Sequence, residues 1–76
     1  MPLKKRSILL SGHATSVALE PEFWAVLEQI AQAGNLTMAG LIARLDAGRG
    51  RTPLASACRI AALAHAGQRG SGADGA

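Results

Sequence analysis

Few side chains in this sequence of 76 residues are placed to carry out a reaction. The hydroxyls of Ser11 and Ser16 flank His13, and a hydroxyl beside an imidazole is the beginning of a nucleophilic site. Such a site also needs a carboxylate that orients the imidazole, and Asp46 and Asp74 both lie far from that histidine in the sequence. The sequence therefore predicts that the chain is not an enzyme.

Metal and cofactor motifs are equally sparse. The soft metal ligands are Cys58, His13 and His65, and they are scattered instead of clustered with the spacing of a zinc site. The segment from Gly48 to Gly50 lacks the preceding strand and the Lys-Ser/Thr ending of a phosphate-binding loop. We expect no metal, no cofactor and no small-molecule substrate, and we expect the single cysteine to be reduced.

Basic side chains are the chemical feature that remains. Lys and Arg number 8 against 5 Asp and Glu, which gives a net charge of +3 and suits an anionic partner. Lys4, Lys5 and Arg6 are contiguous, and we predict that residues 1–6 form a basic arm, either mobile in solvent or in contact with phosphate groups. We interpret four further arginines as a solvated basic surface with one local ion pair: Arg44, Arg49, Arg51 and Arg59.

No segment predicts a membrane span or a complete signal peptide. The N-terminal apolar run extends only from Ile8 to Leu10, shorter than the roughly 7–15 residues of a signal-peptide core. No window approaches the roughly 20 apolar residues that a spanning helix needs. We expect a soluble, cytoplasmic protein.

The first quarter of the chain has the pattern of extended structure. Ile8 and Leu10, and later Val17 and Leu19, alternate with neighbouring residues at the period of two that is typical of strands. The first pair stands at even positions and the second at odd ones, so one uninterrupted strand would turn them to opposite faces. Gly12 can absorb the difference as a bulge or as a tight turn, and the sequence does not distinguish between the two.

Three helices are predicted to follow, over residues 21–33, 38–47 and 53–65. Pro21 suits the first helical position, and Gly34 is placed to end the first helix in a left-handed conformation. Residues 67–76 are glycine-rich and hold no large apolar side chain, so we predict a disordered tail after one domain over residues 7–66.

The core is predicted from the apolar stripes of the extended segment and the first two helices. Phe23 fits the stripe of helix 1, so we expect it, and not the adjacent Trp24, to point into the core. We expect Gly40 to allow another backbone to come close, and the Ala-rich third helix to pack against its own domain or a partner subunit. The predicted core, shared across a dimer, comprises Val17, Leu19, Phe23, Leu27, Ile30, Leu41, Ile42 and Leu45.

A strand in so small a chain needs a partner. A domain of about 60 residues buries only about 60% of the surface that its unfolded chain exposes. Residues 7–11 and 15–19 could pair as a hairpin around Gly12-His13, or the strand could pair with that of a second chain. We favour pairing between chains, because a two-fold interface also supplies the missing core.

Three segments resemble a known family. The run Thr15-Ser-Val-Ala-Leu-Glu-Pro-Glu-Phe-Trp24, with Gly34-Asn-Leu-Thr37 opening a second helix, resembles the ribbon-helix-helix superfamily of Arc/MetJ-like repressors. The segment Gly12-His13-Ala14-Thr15-Ser16 is similar to that of a short, mostly bacterial subgroup, and the resemblance covers roughly residues 4–64. It implies a mainly α protein with a short N-terminal β-strand, a ribbon-helix-helix fold with an additional C-terminal helix, and an intertwined homodimer.

The resemblance also implies how DNA would be bound. In this family a two-stranded ribbon enters the major groove, and the N-terminus of helix 2 holds a phosphate. Carried over to this sequence, the ribbon residues that face DNA are Ser16 and Ala18, with His13 or Ala14 near the end, and the phosphate site comprises Leu36, Thr37 and Met38. We expect Lys4, Lys5 and Arg6 to add contacts with phosphates that flank the ribbon.

Two functions are compatible with this interpretation. The first is a homodimeric, or larger, DNA-binding protein that regulates transcription and takes double-stranded DNA as its partner. The second is a protein-interaction or oligomerisation module, or an antitoxin-like protein, on the same fold without strong sequence-specific DNA binding. The weakly polar Ser16 and Ala18, and the Ala-rich third helix, motivate this alternative.

Overall fold

The chain folds as a β-hairpin followed by three helices. The computed structural model describes the main chain of residues 2–75 and the side chains of residues 2–67. The elements, in chain order, are β1 (Lys4–Leu10), β2 (His13–Leu19), α1 (Pro21–Ala33), α2 (Met38–Gly48) and α3 (Leu54–Gly75). The mainly α architecture with an N-terminal β-structure and a third helix agrees with the prediction, but the β-structure has two strands and not one.

The two strands pair with each other and are antiparallel. Lys4 lies opposite Leu19, and Leu10 lies opposite His13. The turn between them is Ser11-Gly12, whose φ angles of 50° and 81° are both positive, as a type I′ hairpin turn requires. The two strands therefore pair with each other as a hairpin within the chain, which differs from the pairing between chains that we favoured. The turn is also one residue earlier than Gly12-His13.

The two-residue turn explains why the apolar residues change from even to odd positions. Opposite residues in this register have one even and one odd number, so Ile8 and Val17 share the face that packs on the helices, and both are buried. Gly12 therefore serves a tight turn and not a bulge. We call the opposite, solvent-facing side the outer ribbon face, and its residues are Lys5, Ser7, Leu9, Ala14, Ser16 and Ala18.

Helix α1 has the predicted bounds but a different inward face. Trp24 is the buried aromatic residue, with 2% of its surface exposed, whereas Phe23 is half-buried. The prediction that Phe23 occupies the core in place of Trp24 is therefore wrong. Trp24, Leu27 and Ala31 form the buried stripe at i, i+3 and i+7, which keeps Leu27 and Ala31 of the predicted stripe and has Trp24 in place of Phe23.

The end of α1 is a Schellman motif centred on an asparagine. Gly34 has a φ of −96°, so the predicted left-handed glycine is wrong, and Asn35 takes that conformation with a φ of 55°. The N–H of Leu36 donates to the carbonyl of Ala31 at 2.8 Å, and that of Asn35 to Gln32 at 3.1 Å. These are the two hydrogen bonds that define the motif, and Leu36 packs against the core beyond it.

Helices α2 and α3 begin close to their predicted starts. Thr37 is the N-cap of α2, as expected, and its Oγ1 accepts from the N–H of Gly40 at 3.0 Å. A Cβ at position 40 would lie 3.2 Å from this Oγ1, so the glycine faces the cap residue, and the expected close approach of another backbone is wrong.

Helix α3 begins at Leu54, one residue later than predicted, and the carbonyl of Pro53 accepts from the N–H of Ala57 at 2.9 Å. The helix continues to Gly75, past the predicted end near residue 65. The side chains of residues 68–76 lie outside the described residues, and the disordered tail over 67–76 stays a prediction.

The core lies between the hairpin and all three helices. Most of the predicted residues are buried, and Phe23, Ile30 and Leu45 are half-buried against them. Five buried residues are absent from the predicted core: Ile8, Trp24, Ala31, Cys58 and Ala62, the last two from α3. The buried side chains are Ile8, Val17, Leu19, Trp24, Leu27, Ala31, Leu41, Ile42, Cys58 and Ala62.

Candidate nucleic-acid interface

The outer ribbon face is the exposed side of the hairpin. Ser7 lies opposite Ser16 at its centre, and Leu9, with 64% of its surface exposed, is near the turn. Lys5 lies opposite Ala18 at the other end. A hydroxyl both donates and accepts hydrogen bonds, and apolar side chains contact the methyl group of thymine, so this face can meet base edges in a major groove.

Of the residues predicted to face DNA from the ribbon, only some share this face. Ser16 is exposed on it and Ala18 is half-buried on it. His13 is exposed, but it lies opposite Leu10 and therefore on the helix-facing side, next to the turn. Of the two alternatives for the outer position near the turn, Ala14 holds it and His13 does not. Sequence reasoning missed Ser7 and Leu9, which only the two-residue turn and its register place beside Ser16.

The predicted basic arm is part of strand β1. Arg6 points to the helix side, where its guanidinium lies 4.9 Å from the ring centroid of Trp24 and its Nη1 lies 3.1 Å from Oε1 of Glu28. Lys4 and Lys5 are exposed and form no ion pair within the described residues. Two of the three predicted cations can therefore reach a phosphate without giving up a partner, whereas Arg6 holds the strand on α1.

The N-terminus of α2 presents main-chain donors. The first N–H groups of a helix lack an acceptor within the helix, and Thr37 satisfies only that of Gly40. The N–H groups of Met38 and Ala39 thus remain available to an anion, with the positive end of the helix dipole behind them. The side chains of Leu36 and Met38 are half-buried against the core. These two residues can therefore contact an anion through their main chain and not through their side chains.

Two other arginines form structural ion pairs. Arg49 donates from Nε to Oδ1 of Asp46 at 2.7 Å and from Nη1 to the carbonyl of Thr52 at 2.8 Å, which fixes the turn before α3. Arg59 donates to Oε1 of Glu20 at 3.0 Å. The Arg49–Asp46 pair is a local one, as the interpretation of these arginines allowed, whereas Arg59 pairs with a residue that is distant in the sequence.

The junction between β2 and α1 has one perturbed carboxylate. A backbone hydrogen bond and the hydrogen bond from Arg59 hold the pKa of Glu20 below its ordinary value. The guanidinium of Arg59 also lies 5.8 Å from the ring centroid of Phe23. Residues Glu20, Phe23 and Arg59 thus connect α3 to the start of α1.

Other chemistry has little support in the part of the chain that the structure describes. Burial raises the pKa of the Cys58 thiol, which disfavours the reactive thiolate. No three His, Cys, Asp or Glu side chains among the described residues are grouped so that they could hold a metal ion. Within those residues, none of the helices combines the length and the apolar character of a membrane span.

Comparison with known proteins gives one match. The family model described as "Ribbon-helix-helix domain" matches residues 3–66, which include the hairpin, α1, α2 and the first part of α3. No curated protein and no solved structure matches the chain significantly. Domains of the matched family are typically DNA-binding transcription regulators or antitoxins, and the fold is not enzymatic.

Proposed function

The chain belongs to the ribbon-helix-helix family, and from this premise we propose that it is a homodimeric DNA-binding protein that regulates transcription. Ribbon-helix-helix domains generally dimerise and bind DNA. The outer ribbon face would enter the major groove, and the observation that carries this proposal is the exposed Ser7–Ser16 pair on that face, flanked by Lys5.

The contacts to bases would be few and weakly discriminating. Ser16 and Ser7 can bond to more than one base, because a hydroxyl both donates and accepts. Leu9 and Ala14 add apolar contacts, for which thymine is the partner of choice. The face has none of the Arg–guanine or Asn–adenine bidentate pairs that give strong discrimination, so shape and deformability of the DNA would contribute much of the specificity.

Phosphate contacts would supply most of the affinity. Lys4 and Lys5 stand on β1, and the main-chain donors of Met38 and Ala39 stand at the start of α2. A second protomer would double this set. Arg6 serves the same interface indirectly, because its contacts with Trp24 and Glu28 hold β1 in place.

Dimerisation is supported by the open edges of the sheet. The described residues form a sheet of two strands, so each strand has one edge whose main-chain N–H and C=O groups lack a strand partner. Pairing across a two-fold axis would satisfy the groups of one of these edges in each protomer and would place two outer ribbon faces side by side. The small size of the chain adds a further reason, because a second protomer enlarges the core.

The test is a titration of labelled duplex DNA of random sequence, at about 50 mM and about 150 mM salt, followed by fluorescence anisotropy. We expect binding whose log–log salt slope falls by about 0.9 for each phosphate contact that the double variant Lys4→Ala/Lys5→Ala loses. The matched control is Arg44→Ala/Arg51→Ala, which removes the same charge away from the ribbon and should leave the slope nearly unchanged. Absence of binding at both salt concentrations, or equal losses in the two variants, would contradict the proposal.

A protein-interaction module is the second candidate function. The observation in its favour is the exposure of Ile60 and Leu63 on α3, at 60% and 63% of their surfaces. If duplex DNA does not bind while changes on α3 alter the mass of the assembly in sedimentation, this alternative gains the stronger support.

A further inference from the structure

A shallow groove separates the C-terminal half of α2 from α3. Its volume is about 320 Å³, and its floor is apolar, formed by Leu45 of α2 and by Ala57, Ile60 and Ala61 of α3. The three α3 residues stand at i, i+3 and i+4, so they share one side of that helix. Leu63 exposes a further apolar side chain on the next turn.

The rim of this groove is positively charged. Arg44 lines it and is exposed, and the exposed Arg51 is the neighbour of Thr52, which also lines it. Neither arginine forms an ion pair within the described residues. The carboxylate beside the groove belongs to Asp46, and Arg49 already pairs with it at 2.7 Å. The unpaired positive charge in the lining is therefore that of Arg44, and Arg51 adds a second exposed charge one residue from Thr52.

This combination does not match the requirements of DNA. A phosphate backbone would pair with Arg44 and Arg51, but it has no apolar group to cover Ile60. A partner that satisfies both features is amphipathic, with apolar side chains on one face and carboxylates beside them. A helix of that kind laid in a groove presents its apolar residues at i, i+3, i+4 and i+7.

We propose that the groove between α2 and α3 docks an acidic amphipathic helix of a partner protein. The apolar stripe of that helix covers Ile60 and Leu45, and its carboxylates pair with Arg44 and Arg51. The outer ribbon face is built from other elements of the chain, so this binding site is additional to the proposed DNA interface and does not depend on it.

The test uses the full chain labelled with ¹⁵N and a synthetic helical peptide. The peptide carries Leu at the i, i+3, i+4 and i+7 positions and Glu at most others, and a peptide of the same pattern with Lys in place of Glu is its control. We expect the Glu peptide to shift the amide resonances of the C-terminal half of α2 and of residues 54–64. We expect the Lys peptide to bind at least tenfold more weakly.

Variants localise the site. Ile60→Asp should weaken the Glu peptide at least tenfold, whereas Leu9→Asp, at an equally exposed leucine on the ribbon, should not. Arg44→Glu/Arg51→Glu should weaken it to a similar degree, whereas Lys4→Glu/Lys5→Glu should not. Circular dichroism establishes that each variant is folded, and the arginine pair decides the test if Ile60→Asp does not fold.

Several results would overturn the proposal. One is no binding of the Glu peptide, and another is binding that shifts the ribbon resonances in place of those of α2 and α3. If Ile60→Asp lowers the mass in sedimentation and leaves peptide affinity unchanged, the groove holds a second copy of the chain. If the arginine variant weakens duplex DNA and not the peptide, the rim is a DNA contact. The DNA titration of the ribbon variants tests the proposed DNA interface separately, so failure of peptide binding and failure of DNA binding can be distinguished.

Discussion

Trp24 donates a hydrogen bond from its indole N–H to the main-chain carbonyl of Lys4, at 2.8 Å. The ring is buried, and the guanidinium of Arg6 lies against it. Strand β1 is thus held on α1 by one aromatic residue that contacts both its main chain and a side chain. Because β1 also bears Lys5, the position of the proposed phosphate contacts depends on Trp24.

The first prediction separates the hydrogen bond of Trp24 from its packing. Trp24→Phe keeps an aromatic ring in the core but leaves the Lys4 carbonyl without its donor, so we expect a loss of about 1–3 kcal/mol in the free energy of unfolding. Trp24→Ala also removes the buried ring and should cost about 3–5 kcal/mol, which is a large part of the stability of a chain of this size.

Urea unfolding followed by circular dichroism measures both losses. The matched control is Phe23→Ala, on the adjacent and less buried aromatic residue, which should cost less than Trp24→Ala. A Trp24→Phe variant as stable as the original chain would show that the hydrogen bond contributes nothing.

The helices were the most predictable part of the fold. Pro21 and Thr37 have clear local roles, as the first residue of one helix and the N-cap of another, and the observed starts agree with them. Local capping chemistry depends on residues within one turn, so the sequence states it directly. The family resemblance is likewise confirmed by the match over residues 3–66.

The features that could not be predicted from the sequence depend on contacts between residues that are distant in the chain. Phe23 and Trp24 are both compatible with an apolar stripe, and the choice between them is made by Lys4, whose carbonyl needs the donor that only tryptophan has. The outer ribbon face depends on the register of the hairpin, and the register depends on whether Gly12 serves a turn or a bulge. Ser7 and Leu9 could be assigned to the candidate site only after the register of the hairpin was known.

The second prediction concerns the left-handed residue at the end of α1. Asn35 has a φ of 55°, a conformation that costs a residue with a Cβ about 1–2 kcal/mol and that asparagine tolerates better than most. Asn35→Ala should therefore destabilise the chain by about 1 kcal/mol, whereas Asn35→Gly should be neutral or stabilising. Gln32→Ala, on an exposed residue of α1, is the control for a surface change. Thermal unfolding of the three variants would contradict this account if alanine and glycine at position 35 behaved alike.

The third prediction follows from the lowered pKa of Glu20. A carboxyl whose pKa is lower in the folded than in the unfolded chain adds stability above its unfolded pKa, and that stability is lost as the pH falls through its folded pKa. Glu20→Gln should therefore lower the free energy of unfolding at about pH 7 and have a smaller effect at about pH 3, below the ordinary glutamate pKa of about 4.3.

Urea titrations at the two pH values measure this difference. Glu22→Gln is the control, because Glu22 is exposed and forms no ion pair within the described residues. Arg59→Gln should reproduce part of the effect, since the hydrogen bond from Arg59 is one of the causes of the lowered pKa. An effect of Glu20→Gln that is the same at both pH values would rule out the linkage.

The last prediction concerns Gly40 and the N-cap of α2. Alanine is favoured over glycine within a helix by about 1 kcal/mol, but a Cβ at position 40 would lie 3.2 Å from Oγ1 of Thr37, which is a tight contact. We expect Gly40→Ala to gain less than 1 kcal/mol while Thr37 is present, and to gain the full amount in the Thr37→Gly background, where the hydroxyl is gone. The four chains form a double-mutant cycle, and the coupling energy from urea unfolding is the measurement. Simple additivity would mean that the Thr37 hydroxyl moves aside without cost, and that the glycine is not retained for the cap.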